Sequence, residues 1–375
     1  MKLILMLLGV VVVYLIVAFI YRKNWSRDYN VDVSFEKDHV VKGDTINLIE
    51  VITNAKKLPL PYVNIKFEID RSFLFNRKDS NSNVTDKTYR NDIFSLLSNQ
   101  KITRRIPVVC SRRGVYGISN VETIFSGIFM NEIMVYRVPS RCHITVYPKA
   151  ADVNLLQAFN NRILGEVERK KFLLEDKFVF AGIRDYQTYD SMRDINWKAS
   201  ARTDNLMVNQ YNETMSRNVC LLLNLESDGM LKLDEISEES ISIASGMAQM
   251  LLSMGINVSV ISNGCDLETQ NMTVVDGGGG IAHLNQINSA LSRIDLNISM
   301  KEFADVINGM IEEEAFDKDV VYVLISASRR KNLQEAAERY FSNQQEKLWI
   351  LPYAAGMENS LDYCDIVPQI WEVKR

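Results

Sequence analysis

The chain is short of the residues that carry most bond-making chemistry. It has three histidines, His39, His143 and His283, far apart in sequence and without a cysteine or carboxylate at ligand spacing. No local metal motif or His-based catalytic motif can be built from them. Its five cysteines, Cys110, Cys142, Cys220, Cys265 and Cys364, are odd in number and form no C-x-x-C pair. That pattern suits a reducing compartment in which most of them act as small core side chains. The glycines at 277–280 are not followed by Gly-Lys-Ser/Thr and do not form G-x-G-x-x-G, so they read as a turn and not as a phosphate cradle. Ser200 stands in Ala-Ser-Ala-Arg, outside any G-x-S-x-G elbow, which weakens a hydrolase reading. Charge of one sign is also scarce: the net charge is −4. A chain whose main work is gripping phosphate backbones carries a positive excess, so nucleic acid is not an expected partner.

What the chain does have begins at its start. Residues 3–21 form an almost unbroken apolar run, with Lys2 before it and Arg22, Lys23 and Arg27 after it. About 20 such residues in a helix match the hydrocarbon thickness of a bilayer. A cleaved signal peptide is the competing reading, but its apolar region spans only about 7–15 residues and precedes a small-residue cleavage site. The run is therefore expected to be a membrane anchor. The basic residues that follow it favour a cytoplasmic body.

The whole chain is 47% hydrophobic and 24% charged over 375 residues, enough for two or three domains with real cores. From about 30 to 149 the pattern alternates: Val31, Val33 and Phe35 share a face, as do Val63, Ile65, Phe67 and Ile69, and later Ile144 and Val146. Such period-2 runs, broken by Lys42-Gly43-Asp44 and Leu58-Pro59-Leu60-Pro61, predict a β-sandwich-like domain. The polar stretch from about Asp79 to Asp92 reads as a long surface loop. The period then changes, with Leu155, Leu156, Phe159, Ile163 and Val167 predicting an amphipathic helix.

From Asn218 onward, continuous apolar segments alternate with amphipathic ones. Residues 219–225, 256–262, 320–325 and 348–351 read as buried strands, 272–275 as an edge strand, and the stretches between them as helices. This predicts an α/β domain with a mostly parallel, doubly wound sheet covered on both faces. Any ligand would sit beyond the strand carboxyl ends.

Between these regions lie Gly182-Ile-Arg184-Asp-Tyr186 and Arg193-Asp-Ile195-Asn-Trp197-Lys-Ala-Ser200-Ala201-Arg202. They resemble the signature G-x-R-x-Y … R-x-I-x-W-x-x-S-A-R of the bacterial family called domain of unknown function 58. Ser111 to Gly117 and Ile144 to Pro148 extend the resemblance. Where that family commonly has Asp-Pro-Phe-Gly, this chain reads Ile124 to Phe129, and where it often has Gly-Asp-Asp, Tyr189-Asp190-Ser191. The resemblance implies a von Willebrand factor type A-like C-terminal domain and association with MoxR-type AAA+ ATPases.

A basic, aromatic reading of the signature as a nucleic-acid patch fails on charge, because residues 177–218 hold six basic and five acidic side chains. The alternatives are a salt-bridged connector, in which Asp185, Asp190 and Asp194 pair with Arg184 and Arg193, and a surface for a protein partner. The resemblance also implies a place to look for a metal. A von Willebrand type A adhesion site ends its first strand in Asp-x-Ser-x-Ser and would hold Mg²⁺. This chain has Asn224, Glu226 and Asp228 there, glycines where a supporting threonine is expected, and Ser326-Ala-Ser328 where an aspartate is expected. Because Mg²⁺ requires near-octahedral oxygen geometry, a degenerate site in which polar residues merely end the strand is the favoured reading.

The expected organisation is thus an anchor over 1–23, a β-sandwich-like domain over 24–149, a helix and signature connector over 150–217, and a von Willebrand factor type A-like domain over 218–375. The expected function is a membrane-anchored, non-enzymatic protein-interaction scaffold. Its partner would be a MoxR-type ATPase, in assembly or remodelling of membrane or envelope complexes. An extracytoplasmic adhesin-like protein, and a hydrolase built around Ser200 or Ser326, are the alternatives.

Overall fold

The computed structural model describes residues 2–75, 82–84, 87–127, 133–173, 180–188, 190–211, 218–228, 234–298, 300–312, 317, 319–342, 346–354 and 360–373. Ile128, Phe129 and Tyr189, and the side chains of Leu155 and Leu156, lie outside this set. The chain divides into two compact units, Met1–Lys149 and Ala150–Arg375.

The first unit opens with α1 (Lys2–Asn24), which is long and apolar enough to cross a bilayer. Among the described residues ten strands follow: β1 (Tyr29–Phe35), β2 (His39–Val41), β3 (Thr45–Asn54), β4 (Leu60–Asp70), β5 (Phe73–Phe75), β6 (Ser82–Val84), β7 (Lys87–Leu96), β8 (Gln100–Cys110), β9 (Gly114–Ser126) and β10 (Ile133–Tyr147). They form a four-stranded sheet, β1-β3-β8-β5, and a six-stranded sheet, β2-β10-β9-β4-β7-β6. One hydrophobic core takes side chains from both sheets, including Val31, Val33, Leu48 and Ile106 of the first and Val63, Ile65, Val121 and Ile144 of the second. The alternation read from the sequence is therefore the inward face of a β-sandwich.

One expectation is corrected here. The stretch from Asp79 to Asp92 is not a long loop: its described residues lie in β6 and β7, and β7 pairs with β4 from Lys87↔Asp70 to Leu96↔Leu60. Polar residues conceal the strand because its inward positions are Thr88, Arg90 and Asp92, all buried. Arg90 grips Asp92 on the same strand through Nε to Oδ2 at 2.9 Å and Nη2 to Oδ1 at 3.1 Å. Arg104 of β8 reaches the same Asp92 across the sandwich at 2.6 Å. Glu50 of β3, register partner of Arg104, is fully buried beside this cluster. Burial, and then the Asp92 charge, push the Glu50 carboxyl up to about 8. Burial and the Asp92 charge thus favour the neutral form of Glu50, against the opposing pull of the Arg90 and Arg104 guanidinium groups.

The second unit contains α2 (Val153–Leu173), β11 (Phe180–Asp185), a 3₁₀ turn (Met192–Asp194), α3 (Trp197–Thr203), β12 (Met207–Tyr211), β13 (Asn218–Asn224), α4 (Asp234–Ser253), β14 (Asn257–Asp266), β15 (Met272–Gly278), α5 (Gly280–Arg293), β16 (Ile294–Asp295), α6 (Phe303–Glu312), β17 (Val320–Ser326), α7 (Lys331–Phe341), β18 (Leu348–Tyr353) and β19 (Gln369–Glu372). Its main sheet runs β15-β14-β13-β17-β18-β19, with β16 also on β14. β14, β13, β17, β18 and β19 are mutually parallel, while β15 closes one edge antiparallel.

Successive residues of β13 enter opposite cores. Leu221 and Leu223 pack with α2, α4 and α5, whereas Cys220 and Leu222 pack with α6 and α7. Both sheet faces are covered, which is why the strands read as unbroken apolar runs. Phe159, Ile163 and Val167 of α2 belong to the first of these cores, so the helix expected within a connector is built into the second unit.

Candidate functional site

Two features of the second unit bear on function: the signature segment and the carboxyl ends of the central strands. The signature folds as a hairpin. β11 and β12 pair antiparallel from Ile183↔Asn209 to Asp185↔Met207, and the 3₁₀ turn and α3 fill the connection. Arg184 holds Asp190 bidentately, Nη1 to Oδ2 at 2.6 Å and Nη2 to Oδ1 at 2.7 Å. The Arg184 hydrogen bond holds the Asp190 carboxyl below the usual carboxylate range. Of the carboxylates weighed for Arg184, Asp190 is thus its side-chain partner, and the Asp185 contact is through the backbone carbonyl at 3.1 Å.

Asn196 begins α3 by accepting from the Ala199 amide at 2.9 Å, a side-chain cap of an otherwise unpaired donor. Ser200 donates to the Asn196 carbonyl at 2.9 Å and accepts from the Met207 amide at 2.8 Å. Its hydroxyl ties α3 to β12, and the Ile195 side chain is buried beneath. Gly182 lies in β11 where an added Cβ would meet no neighbour; nothing in the structure explains that glycine.

The other signature side chains face outward. Trp197 is 66% exposed, and Arg193, Ala201 and Arg202 are exposed with it, as is Met192 just before the second stretch, while Tyr186 is half-buried. The motif therefore divides into Arg184, Ile195 and Ser200, which build the hairpin, and a surface around Trp197, which the hairpin displays.

At the carboxyl ends of β13, β14 and β17 the residues expected around a cation are already engaged. Asn224 donates to Ser326 Oγ at 3.0 Å, and its Oδ1 accepts from Asn263 Nδ2 and from the Glu226 amide, both at 2.9 Å. Three neighbouring strands are thus clasped by neutral side chains. Glu226 Oε1 accepts from Arg330 Nη1, and its other oxygen accepts from the Phe303 amide at 3.3 Å. Asp228 accepts from Ser328 Oγ and from the Arg329 amide, and lies 3.6 Å from Arg330 Nε. Arg330 also donates to the Ser227 carbonyl at 3.1 Å and comes within 3.7 Å of Glu302.

The guanidinium supplies the positive charge that an ion would bring, and Asn224 has no carboxylate to offer. These residues do not fit a hard divalent cation, which demands several ionised oxygens in octahedral array. Burial raises the Glu226 carboxyl even with Arg330 beside it. Ser326, weighed as a nucleophile, has its hydroxyl between Asn224 Nδ2 and the Ser328 amide.

Asn263, Glu302 and Arg330 were not singled out from the sequence. One signal was present: Arg330 sits at the start of α7, where a cation opposes the helix dipole. An arginine there is tolerable when carboxylates such as Glu226 and Asp228 offset it.

Residues 182–315 match the model of the family described as "Protein of unknown function DUF58". No curated protein matches the sequence. Solved structures with some likeness include the CARDB domain of the PF1109 protein from Pyrococcus furiosus, 12% identical, covering 30% of this chain and 92% of that one at a TM-score of 0.20. The cohesin module of a Clostridium perfringens family 33 glycoside hydrolase is 15% identical, covering 30% and 95% at a TM-score of 0.21. A GH20 exo-β-N-acetylglucosaminidase from Vibrio harveyi is 11% identical, covering 64% and 47% at 0.24. Likeness of this degree carries no argument about function.

Proposed function

We propose that the chain is a membrane-anchored, non-enzymatic protein-interaction scaffold. α1 is its single span, its second unit is a von Willebrand factor type A-like domain with a Rossmann-type sheet, and its body lies in the cytoplasm. Its partner is a MoxR-type AAA+ ATPase, and the pair act in assembly or remodelling of membrane or envelope complexes.

The observation that carries this reading is the division of the signature hairpin. A solvent-facing Trp197 costs apolar exposure that folding would otherwise remove, and tryptophan and arginine are the side chains most enriched at the energetic centres of interfaces. The strand ends add support of a different kind. Glu226 and Asp228 are held by Arg330, so the rim presents a closed ion-pair cap, a surface suited to contact and not to activating water or substrate.

Affinity isolation of the full chain from native membranes tests the proposal. An AAA+ ATPase recovered with the wild-type chain, and lost with Trp197→Ala, is the expected result. Repeated recovery of the chain without any such ATPase would refute it.

A further inference from the structure

The first unit is joined to α1 in a way that sets its depth relative to a bilayer. Tyr21, the last residue of the apolar run, is 6% exposed, and its hydroxyl donates to the Pro59 carbonyl in the β3–β4 loop at 2.8 Å. Helical side chains lean toward the helix N-terminus, so this bond holds the loop no farther from the bilayer centre than Tyr21 itself. Exposure along α1 is uneven below that point. Tyr14, Val17 and Ala18 are partly covered while their neighbours are exposed, which with Tyr21 makes a stripe at i, i+3, i+4 and i+7. Seven residues of helix correspond to about 10 Å along the axis.

The β7–β8 turn is strapped to the same place. Asn54 Nδ2 donates to the carbonyls of both Leu58 and Leu97, at 3.0 and 2.8 Å, and the Asn99 amide donates to Lys56 at 3.0 Å. Lys56 in turn donates from Nζ to the Trp25 and Arg27 carbonyls that follow the helix. Trp25 packs against Phe125 and Tyr136, where β9 and β10 approach their hairpin.

This same end carries exposed aliphatic side chains. Leu97 is 67% exposed at the turn, and Ile133, at the start of β10, is 76% exposed. Ile93 and Val135, 59% and 48% exposed, lie in one cross-strand row with Asn64 and Ile124. The next row away from this end is charged: Lys66, Glu122 and Arg137 stand in register. Arg22, Lys23 and Lys57 are exposed beside the helix end.

We infer that this end of the β-sandwich is itself a lipid-binding surface. Leu97 and Ile133 enter the acyl region beside α1, and Arg22, Lys23 and Lys57 meet lipid phosphates at the headgroup level. Aliphatic tips with basic residues beside the helix end suit that boundary, where apolar burial and attraction to anionic lipid add together. A second protein would also cover apolar tips, but the continuity with α1 and the Tyr21 depth mark favour lipid. The inference rests on α1 being a membrane span.

The test uses the full chain, carrying an environment-sensitive fluorescent residue at one position, in phosphatidylcholine–phosphatidylglycerol vesicles containing a lipid with a nitroxide high on its acyl chain. Positions 97 and 133 are expected to be quenched strongly, position 8 in α1 to be quenched by a lipid with a deeper nitroxide, and position 74, the exposed residue of β5, to remain unquenched. Quenching at 8 but not at 97 or 133 would overturn the lipid-binding surface and leave the anchor standing. Loss of quenching at 8 as well would instead overturn the anchor. Position 97 quenched by a water-soluble quencher and not by the lipid quencher would show an aqueous tip, and position 97 quenched by neither would show a protein-covered one; either result counts against the inference.

Discussion

Arg330 donates to Glu226 across 104 residues of sequence, from the start of α7 to the loop that ends β13. The contact joins two crossovers of one parallel sheet at its carboxyl rim. The Glu226 side chain is only 12% exposed there and Arg330 38%. Removing the arginine leaves a largely desolvated carboxylate without its counter-charge, which costs more than the pair itself contributes.

Arg330→Ala is accordingly expected to destabilise the second unit by about 1–2 kcal/mol, discounted from the fully buried case for the arginine's exposure. Adding Glu226→Gln should restore part of that loss, because the orphaned charge goes with it. Denaturant unfolding of the single and double variants measures the coupling; strictly additive losses would show that the two side chains do not interact.

Glu50 supplies a pH dependence in the first unit. Its folded-state carboxyl stands near 8 against an ordinary 4.5, so the folded form keeps a proton that the unfolded chain releases. The associated stability is complete below pH 4.5 and is lost as pH rises toward 8. Amide exchange in β3 and β7 should therefore quicken as pH rises across this range, beyond the intrinsic chemical trend. Glu50→Gln, neutral at every pH and of the same shape, should flatten the dependence. An unchanged slope in that variant would assign it elsewhere.

Gly246 faces the backbone of Ala151, and a Cβ there would stand 2.9 Å from the Ala151 carbonyl oxygen. Alanine in a helix interior ordinarily gains about 1 kcal/mol over glycine. Here the neighbour is main chain, already fixed by the Ala151 amide bond to Ser242 at 2.9 Å, and cannot step aside. Gly246→Ala is expected to lower the melting temperature in spite of its helix propensity; a rise would mean that the segment before α2 yields.

Ser200→Ala is expected to cost about 1–2 kcal/mol, since it removes a donor and leaves the Met207 amide without its acceptor. Exchange at that amide should rise, and a fluorophosphonate probe should fail to label the wild-type serine. Labelling at Ser200 would revive a hydrolase.

Much of this architecture is legible in the sequence, for identifiable reasons. β13 and β17 bury both faces, so Val219 to Leu223 and Val321 to Ile325 are unbroken apolar runs. The β-sandwich shows through Val63, Ile65, Phe67 and Ile69, which alternate because only one face of β4 meets the core. β7 was hidden, because Arg90 and Asp92 look like surface residues until Arg104 and Glu50 are placed against them by pairings far away in sequence. The strand-end site was half legible: Asn224, Glu226 and Asp228 lie in one short stretch, but Arg330, Asn263 and Glu302 join them only through the fold. Sequence spacing likewise could not say which signature residues turn inward, since Ser200 and Trp197 differ only by their places on α3.

The central claim is that the signature hairpin displays Trp197 to a protein partner. A photo-crosslinking residue at position 197 in the full chain, activated in native membranes, tests it most directly, with the same residue at exposed Glu335 as the control. The account predicts a crosslink to an AAA+ ATPase from 197 and none from 335. An ATPase captured from 335 but not from 197, or no protein captured from 197 at all, would contradict it.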